Sequence, residues 1–320
     1  MPFAADIGGT SIRVSMVDTR YDHYTLTEPI RFLTDPARGF NSAMDELAAG
    51  LKDLAIQNDI PLSSENIGVA SAGPISMYDG TYDFSPNLPG WQGHSVSRAL
   101  EEILGVAVYT AHDGAMGVLA ESKYGQHPDT ANLIYVTVST GIGAGIIANG
   151  EIVAGRQSGA GEVGHMIVMP GRGSCNNGCD GCLEGVSSGT AIARRARALM
   201  ENTQDGMLSN TPGPVTAADV VAAARAGDSL AISVIEDALE GLANGLSGLL
   251  AIFDPDVIVL GGGVIDGLGH WWDELLERTQ HKALPRYKHV LPVSKTILGG
   301  DAPLIGAAVF ASQQKEVYQA

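Results

Sequence analysis

The chain has 320 residues, a formal net charge of −17, and 45% hydrophobic against 17% charged residues. That composition belongs to folded rather than disordered chains, and the acidic balance excludes a nucleic-acid partner, whose phosphate backbone demands clustered Lys and Arg. The length favours two domains, and the most apolar stretch, Leu249 to Ile265, is interrupted by Asp254, Pro255, Asp256 and three glycines, so it does not read as a membrane span.

Met1 to Asp6 lacks the basic start and long apolar core of a signal peptide. A strand is expected from Phe3 to Ile7, a glycine turn at Gly8-Gly9, and an alternating return strand from Ser11 to Val17, which together make a β-hairpin. A long amphipathic helix follows, about Ala37 to Gln57, then a buried strand from Ile67 to Ala72. Next come a helix at Val96 to Leu104, a strand at Val106 to Thr110 ending at His112-Asp113, and a helix at Gly114 to Tyr124. The hairpin design then recurs: Leu133 to Val138, a turn over Ser139 to Gly143, and Ala144 to Ala148. Two similar hairpins, each opening a half of the chain, point to a duplicated architecture. Helices are expected at Ser188 to Glu201, Ala217 to Ala226 and Ser229 to Ile252, and a strand at Val257 to Leu260 runs into Gly261-Gly262-Gly263. A helix at Trp271 to Thr279, a strand near Leu291 to Ile297 and a helix at Leu304 to Gln313 close the chain. Alternating strands and helices make the class α/β.

All three cysteines, Cys175, Cys179 and Cys182, fall within eight residues, with His165 ten residues upstream of the first. One imidazole and three thiols are the soft ligands that tetrahedral zinc prefers, and four protein ligands make the site structural. An odd cysteine count speaks against a disulfide framework, and reduced thiols fit the cytoplasm. Glu162 and Glu184 flank this loop. Three glycine turns, at Gly8-Gly9-Thr10, Thr140 to Gly143 and Gly261 to Gly263, offer the unobstructed backbone N–H groups a phosphate needs. No G-x-x-x-x-G-K-[ST] run is present, so the P-loop is out. Asp113 sits just past the carboxyl end of a strand, where ligands bind in open α/β sheets, and equally where a helix N-cap would stand. Arg194, Arg195 and Arg197 form the densest basic cluster and read as a solvated helix face.

Asp6-Ile7-Gly8-Gly9-Thr10 resembles the first phosphate motif of sugar kinases with the actin/Hsp70-like fold. Glu162-x-x-His165 followed by Cys175…Gly181-Cys182-Leu183-Glu184 resembles the ROK family (repressors, uncharacterised reading frames, kinases). Pro86 to Trp91 is similar to that family's sugar-binding loop, Asp254 to Gly263 to its adenosine segment, and Leu304 to Ala308 to its closing helix. The resemblance implies a two-domain actin-like (ribonuclease H-like, duplicated) sugar kinase fold with an interdomain cleft. Its domains would be 1–123, completed by the C-terminal helix at about 303–320, and 124–302.

The activity implied is ATP-dependent phosphorylation of a hexose at the 6-hydroxyl, as in a glucokinase, with an N-acetylmannosamine or other amino-sugar kinase as the alternative. A non-catalytic sugar-binding regulator is a distant third. Asp113 would be the general base. Asp6 would hold Mg²⁺ through water, Gly8, Gly9, Thr10, Thr140 and Gly141 would contact the ATP phosphates, and Gly262 the adenosine. Asn87, His112, Asp113, Glu162, His165 and Glu184 would bind the sugar. His165, Cys175, Cys179 and Cys182 would hold Zn²⁺. A homodimer or homotetramer is the expected assembly. Three positions depart from the family pattern: Asn177 stands where a cysteine is usual, Ser11 where lysine is common, and His112 where asparagine is usual.

Overall fold

Two sheets organise the chain in the computed structural model, which describes residues 1–83, 88–201 and 206–317. In the first, β1 (Phe3–Ile7) pairs antiparallel with β2 (Ser11–Asp18) through the Gly8–Thr10 turn, with Asp6 opposite Arg13. The short strands β3 (Thr25–Leu26) and β4 (Ile30–Leu33) extend the β2 edge. The helix α1 (Phe40–Gln57) precedes β5 (Ile67–Ser71), which lies parallel to β1. After α2 (Val96–Leu104), β6 (Val108–His112) pairs parallel to β5. β6 runs without a break into α3 (Asp113–Tyr124).

In spatial order the second sheet holds β11 (Val293–Lys295), β10 (Val257–Gly261), β7 (Leu133–Val138), β8 (Ile142–Ala148) and β9 (Glu151–Ile152). Then come α4 (Leu183–Ser187), α5 (Gly189–Met200), α6 (Ala217–Arg225) and the 25-residue α7 (Ser229–Phe253). The parallel strand β10 (Val257–Gly261), α8 (Gly263–Gly267), α9 (Trp272–Lys282), β11 (Val293–Lys295) and α10 (Ala302–Val317) complete the chain.

Contacts divide these elements into two compact units. One comprises Met1–Thr130, Gly145–Gly161 and the chain from Ile297 on; the other comprises Ala131–Ala144 and Glu162–Thr296. β8 therefore begins in the second unit and ends in the first. In the first unit, β1, β2 and β5 bury nearly every residue, and Phe40, Met44, Leu47 and Leu51 of α1 lie at 3–4-residue spacing in the same core. Each such large apolar side chain contributes roughly 1.5–3 kcal/mol by leaving water. In the second unit α7 turns Ile235, Leu239, Leu242, Leu246 and Leu249 inward at the same period. Among the described residues no helix is long and apolar enough to cross a membrane.

Two glycines let α10 approach its neighbours backbone to backbone. A Cβ on Gly306 would lie 1.7 Å from the Met116 carbonyl oxygen of α3, and one on Gly68 would lie 1.9 Å from the Ala307 carbonyl oxygen. Backbone cannot yield as a side-chain tip does, so Gly306→Ala is expected to destabilise the first unit by about 3 kcal/mol or more. Gly248→Ala in α7 meets nothing within 4 Å and is expected to be neutral or to stabilise by up to about 1 kcal/mol. Urea midpoints of the two variants check both expectations.

Candidate active site

In the first unit the candidate residues gather at the carboxyl ends of β1 and β6. The Gly8–Thr10 turn closes with Gly8 N–H donating to the Ser11 carbonyl at 3.0 Å, and Gly9 and Thr10 are exposed. Thr34 braces the turn from beside β4: its hydroxyl donates to the Gly8 carbonyl at 2.6 Å, and its N–H to the Thr10 carbonyl at 3.1 Å. Asp6, two residues before the turn, is ion-paired with Arg13 on the facing strand at 2.6 Å. Burial raises the Asp6 pKa, the Arg13 guanidinium opposes that rise, and the charges of Asp113 and Asp301 add to it.

His112 ends β6 and Asp113 is the first residue of α3. The helix N-cap is therefore His112, whose Nδ1 accepts from Gly114 N–H at 3.2 Å, and the capping role expected of Asp113 is corrected accordingly. Because Nδ1 accepts, Nε2 carries the proton, and it lies 3.1 Å from Asp113 Oδ1. Gly114 N–H also donates to the same Oδ1, at 2.7 Å. Both interactions converge on Oδ1 and leave Oδ2 of the carboxylate open. Gly145 lets β8 meet α3 at this point, since a Cβ there would lie 2.1 Å from the Gly114 carbonyl oxygen. His112, expected to touch the sugar, is engaged with Asp113 and the helix cap.

The second unit holds the remaining candidates, save Asn87, which lies outside the described residues. His165, Cys175, Cys179 and Cys182 bring their ligand atoms within 4.8 Å of one another. His165 Nδ1 is 3.6 Å from Cys175 Sγ and 3.7 Å from Cys179 Sγ. A zinc tetrahedron with bonds of about 2.0–2.3 Å has edges of roughly 3.5–3.8 Å, so the donor set fits that ion. Burial works to raise the Cys175 thiol, yet N–H groups of Cys179 and Asn177 and the neighbouring thiols donate to it and bring it down to about 7. Burial pushes Cys182 up to about 11; its sulfur caps α4 by accepting from Gly185 N–H at 3.3 Å. The other face of the imidazole, Nε2, meets the Asn177 amide at 3.2 Å and Glu162 Oε2 at 3.7 Å.

Glu184, on α4, accepts from Ile142 N–H at 3.0 Å and sits against the Gly141 turn, where a Cβ would be 2.6 Å from its Oε2. Thr140 is exposed in that turn, and its carbonyl accepts from the Thr190 hydroxyl at 2.8 Å. Gly262, at φ 98°, passes the Val138 carbonyl oxygen so closely that a Cβ would lie 2.4 Å away, which only glycine permits. These turns open onto a pocket of about 770 Å³ lined by Thr140, Thr190, Arg197, Val221, Gly263 and Val264, among others.

Sequence reasoning missed Arg13, Thr34, Thr190 and the pocket walls from α5 and α6. Arg13 alone had a signal: the tight turn sets it opposite Asp6. The arginine triplet is not a free solvated face either. Arg194 donates to the Gly185 carbonyl at 2.9 Å, Arg195 pairs with Asp237 at 3.8 Å, and Arg197 donates to the Val215 carbonyl at 3.5 Å.

The comparisons agree with one another. The chain is 31% identical over 315 residues to a glucokinase of Halalkalibacterium halodurans, covering 97% of this chain and 94% of the relative. Its structure superposes on the ROK hexokinase from Thermus thermophilus with a TM-score of 0.82 at 29% identity, covering 99% of both chains. It also superposes on a ROK family glucokinase from Streptomyces griseus, solved in complex with glucose and AMPPNP, with a TM-score of 0.79 at 26% identity, covering 98% of this chain and 99% of that one. The mixed α/β fold with its two sheets is thus that of ROK kinase structures, an actin-like ATPase fold. The ROK family model matches residues 3–314, and the chain belongs to the ROK family.

Proposed function

We propose that the chain is an ATP-dependent hexose kinase that phosphorylates the 6-hydroxyl of glucose, with Asp113 as the general base. The observation that carries this reading is the state of the Asp113 carboxylate at the end of β6: Oδ1 is held by His112 and Gly114, and Oδ2 is open to take a proton. A sugar hydroxyl is a weak nucleophile, and a positioned base contributes about 10²–10⁴-fold. The hydroxyl oxygen attacks the γ-phosphorus as its proton passes to Oδ2, and the bond to the ADP oxygen breaks. The relative solved with glucose and AMPPNP fits this substrate pair.

The backbone turns at Gly8–Thr10 and Thr140–Gly141 supply N–H groups for phosphate oxygens, and the pocket beside Gly262 takes the adenosine, whose flat apolar base suits walls of Val and Ala side chains. Glu162, His165 and Glu184 bind sugar hydroxyls, with Asn87 as a further contact. Asp6 fits Mg²⁺, which, when bound with ATP, neutralises charge that builds on the phosphoryl group. The His165, Cys175, Cys179 and Cys182 quartet fits a structural Zn²⁺ that fixes the loop carrying Glu162 and Glu184. The three free thiols fit a reducing compartment, the cytoplasm.

The test is ADP release across glucose, mannose, fructose, allose, N-acetylglucosamine and N-acetylmannosamine. Glucose is expected to give the highest kcat/KM. Faster turnover of N-acetylmannosamine would move the assignment to an amino-sugar kinase, and silence with every sugar would sink the kinase reading.

A further inference from the structure

Arg13 is nearly buried, at 9% exposure, and its donors are engaged in an uneven way. Nε and Nη2 both donate to Asp6, at 3.0 and 2.6 Å, and both land on Oδ2. Nη2 also donates to the Gly300 carbonyl at 2.6 Å, and Nη1 to Asp301 Oδ1 at 2.8 Å. Arg–carboxylate pairs are frequently of the fork–fork form, in which two parallel bonds use both oxygens. Here the fork closes on a single oxygen and leaves Oδ1 of Asp6 outside it. The three acceptors over-determine the guanidinium plane, and that plane in turn fixes the Asp6 rotamer. A lysine ammonium, with no planar fork, holds a carboxylate less specifically.

Location gives this arrangement its meaning. Asp6 lies near the end of β1, two residues before the Gly8–Thr10 turn, and Asp6, Asp113 and Asp301 bring three carboxylates into the same unit. A nucleotide that arrives there with its own negative charge needs Asp6 aimed at the accompanying cation, and Arg13 offsets the charge of Asp6 and Asp301.

We propose that Arg13 is a positioning residue for Asp6: by holding Oδ2, it presents Oδ1 to the hydrated divalent cation that accompanies the nucleotide. This rests on the kinase reading, and Arg13 itself touches neither sugar nor phosphate in it.

The test is a proton-relaxation titration of Mn²⁺–ATP with the full-length protein, with no sugar present, for the wild type, Arg13→Gln and Arg13→Lys. Arg13→Gln is expected to weaken binding of Mn²⁺–ATP about tenfold, the scale on which outer-shell partners act, while metal-free ATP in EDTA binds as to the wild type. Arg13→Lys is expected to fall between them. In the sugar assay kcat drops with the sugar KM unchanged. Equal Mn²⁺–ATP affinity in the wild type and a folded Arg13→Gln protein would overturn the proposal, as would parallel losses with and without metal. Should Arg13→Gln not fold, Asp301→Asn loosens the guanidinium without removing its charge. It is then expected to weaken Mn²⁺–ATP binding in the same direction, and an unchanged affinity overturns the proposal. If the wild type phosphorylates no sugar, the kinase reading falls while the Mn²⁺–ATP titration still decides the role of Arg13.

Discussion

Asp113→Asn is expected to stop ADP production while leaving the sugar bound. The substitution is nearly isosteric. The amide oxygen can stay in the place of Oδ1, where His112 Nε2 lies 3.1 Å and Gly114 N–H 2.7 Å away. The start of α3 is therefore kept. What changes is the open arm, where an NH₂ group replaces Oδ2. It can still hydrogen-bond the hydroxyl, but its nitrogen lone pair is delocalised into the carbonyl and takes no proton. Turnover is expected to fall by about 10²–10⁴-fold, the usual contribution of a positioned base. Coupled ADP release measures the loss, and calorimetry with glucose measures the binding that should remain within a few fold. A variant that turns over at the wild-type rate would remove Asp113 as the base; one that loses sugar binding and turnover alike would make it a binding group instead.

Much of the scaffold beneath this site was readable from residue pattern. β1, α2 and β7 fall on their expected residues, because each is a short apolar or amphipathic run closed by glycine or serine. Other features carry no such signal. α4 is only five residues long and is started by a cysteine sulfur, which the capping preferences of Ser, Thr, Asp and Asn do not anticipate. The return of Gly145–Gly161 to the first unit depends on the close meeting of Gly145 with Gly114, a tertiary contact between glycines that chain order does not announce. The pocket beside Gly262 draws on helices α5 and α6, whose alanine and valine positions look in the sequence like ordinary helix packing. At the cysteine loop, the family pattern puts a cysteine at position 177, where Asn177 stands, and Cys179 is the replacement expected for it. The fold separates them by imidazole nitrogen: Cys179 meets Nδ1 with Cys175, and Asn177 meets Nε2.

Zinc should accordingly be found at about one ion per chain, as four-ligand structural sites hold one, and its removal should have the largest effect on the second unit. The loop from Gly171 to Gly181 contains four glycines, Gly171, Gly173, Gly178 and Gly181, and all four have positive φ. Backbone of that kind loses more conformational freedom on folding than any other. Two isolated bridges, Ile167 with Cys182 and Ser174 with Asp180, and short-range backbone hydrogen bonds such as Gly181 N–H to the Gly173 carbonyl and Cys175 N–H to the Cys179 carbonyl hold it without any regular element inside it among the described residues. A metal that binds the folded form alone adds its binding free energy to stability, and the affinities of structural zinc sites correspond to about 10–16 kcal/mol in small peptides. Even a modest share of that would be many degrees in the thermal midpoint, at about 2–4 °C per kcal/mol for a domain of this size. Chelation is therefore expected to lower the midpoint by about 10 °C or more and to raise the KM for sugar, because Glu162 and Glu184 flank the loop. Cys179→Ser should weaken zinc retention at least about a hundredfold in a chelator competition, more than the loss of an outer-shell partner costs. A Cys179→Ser protein that keeps zinc as the wild type does would exclude Cys179 as a ligand. A metal-free preparation with unaltered midpoint and KM would remove zinc from the structure altogether.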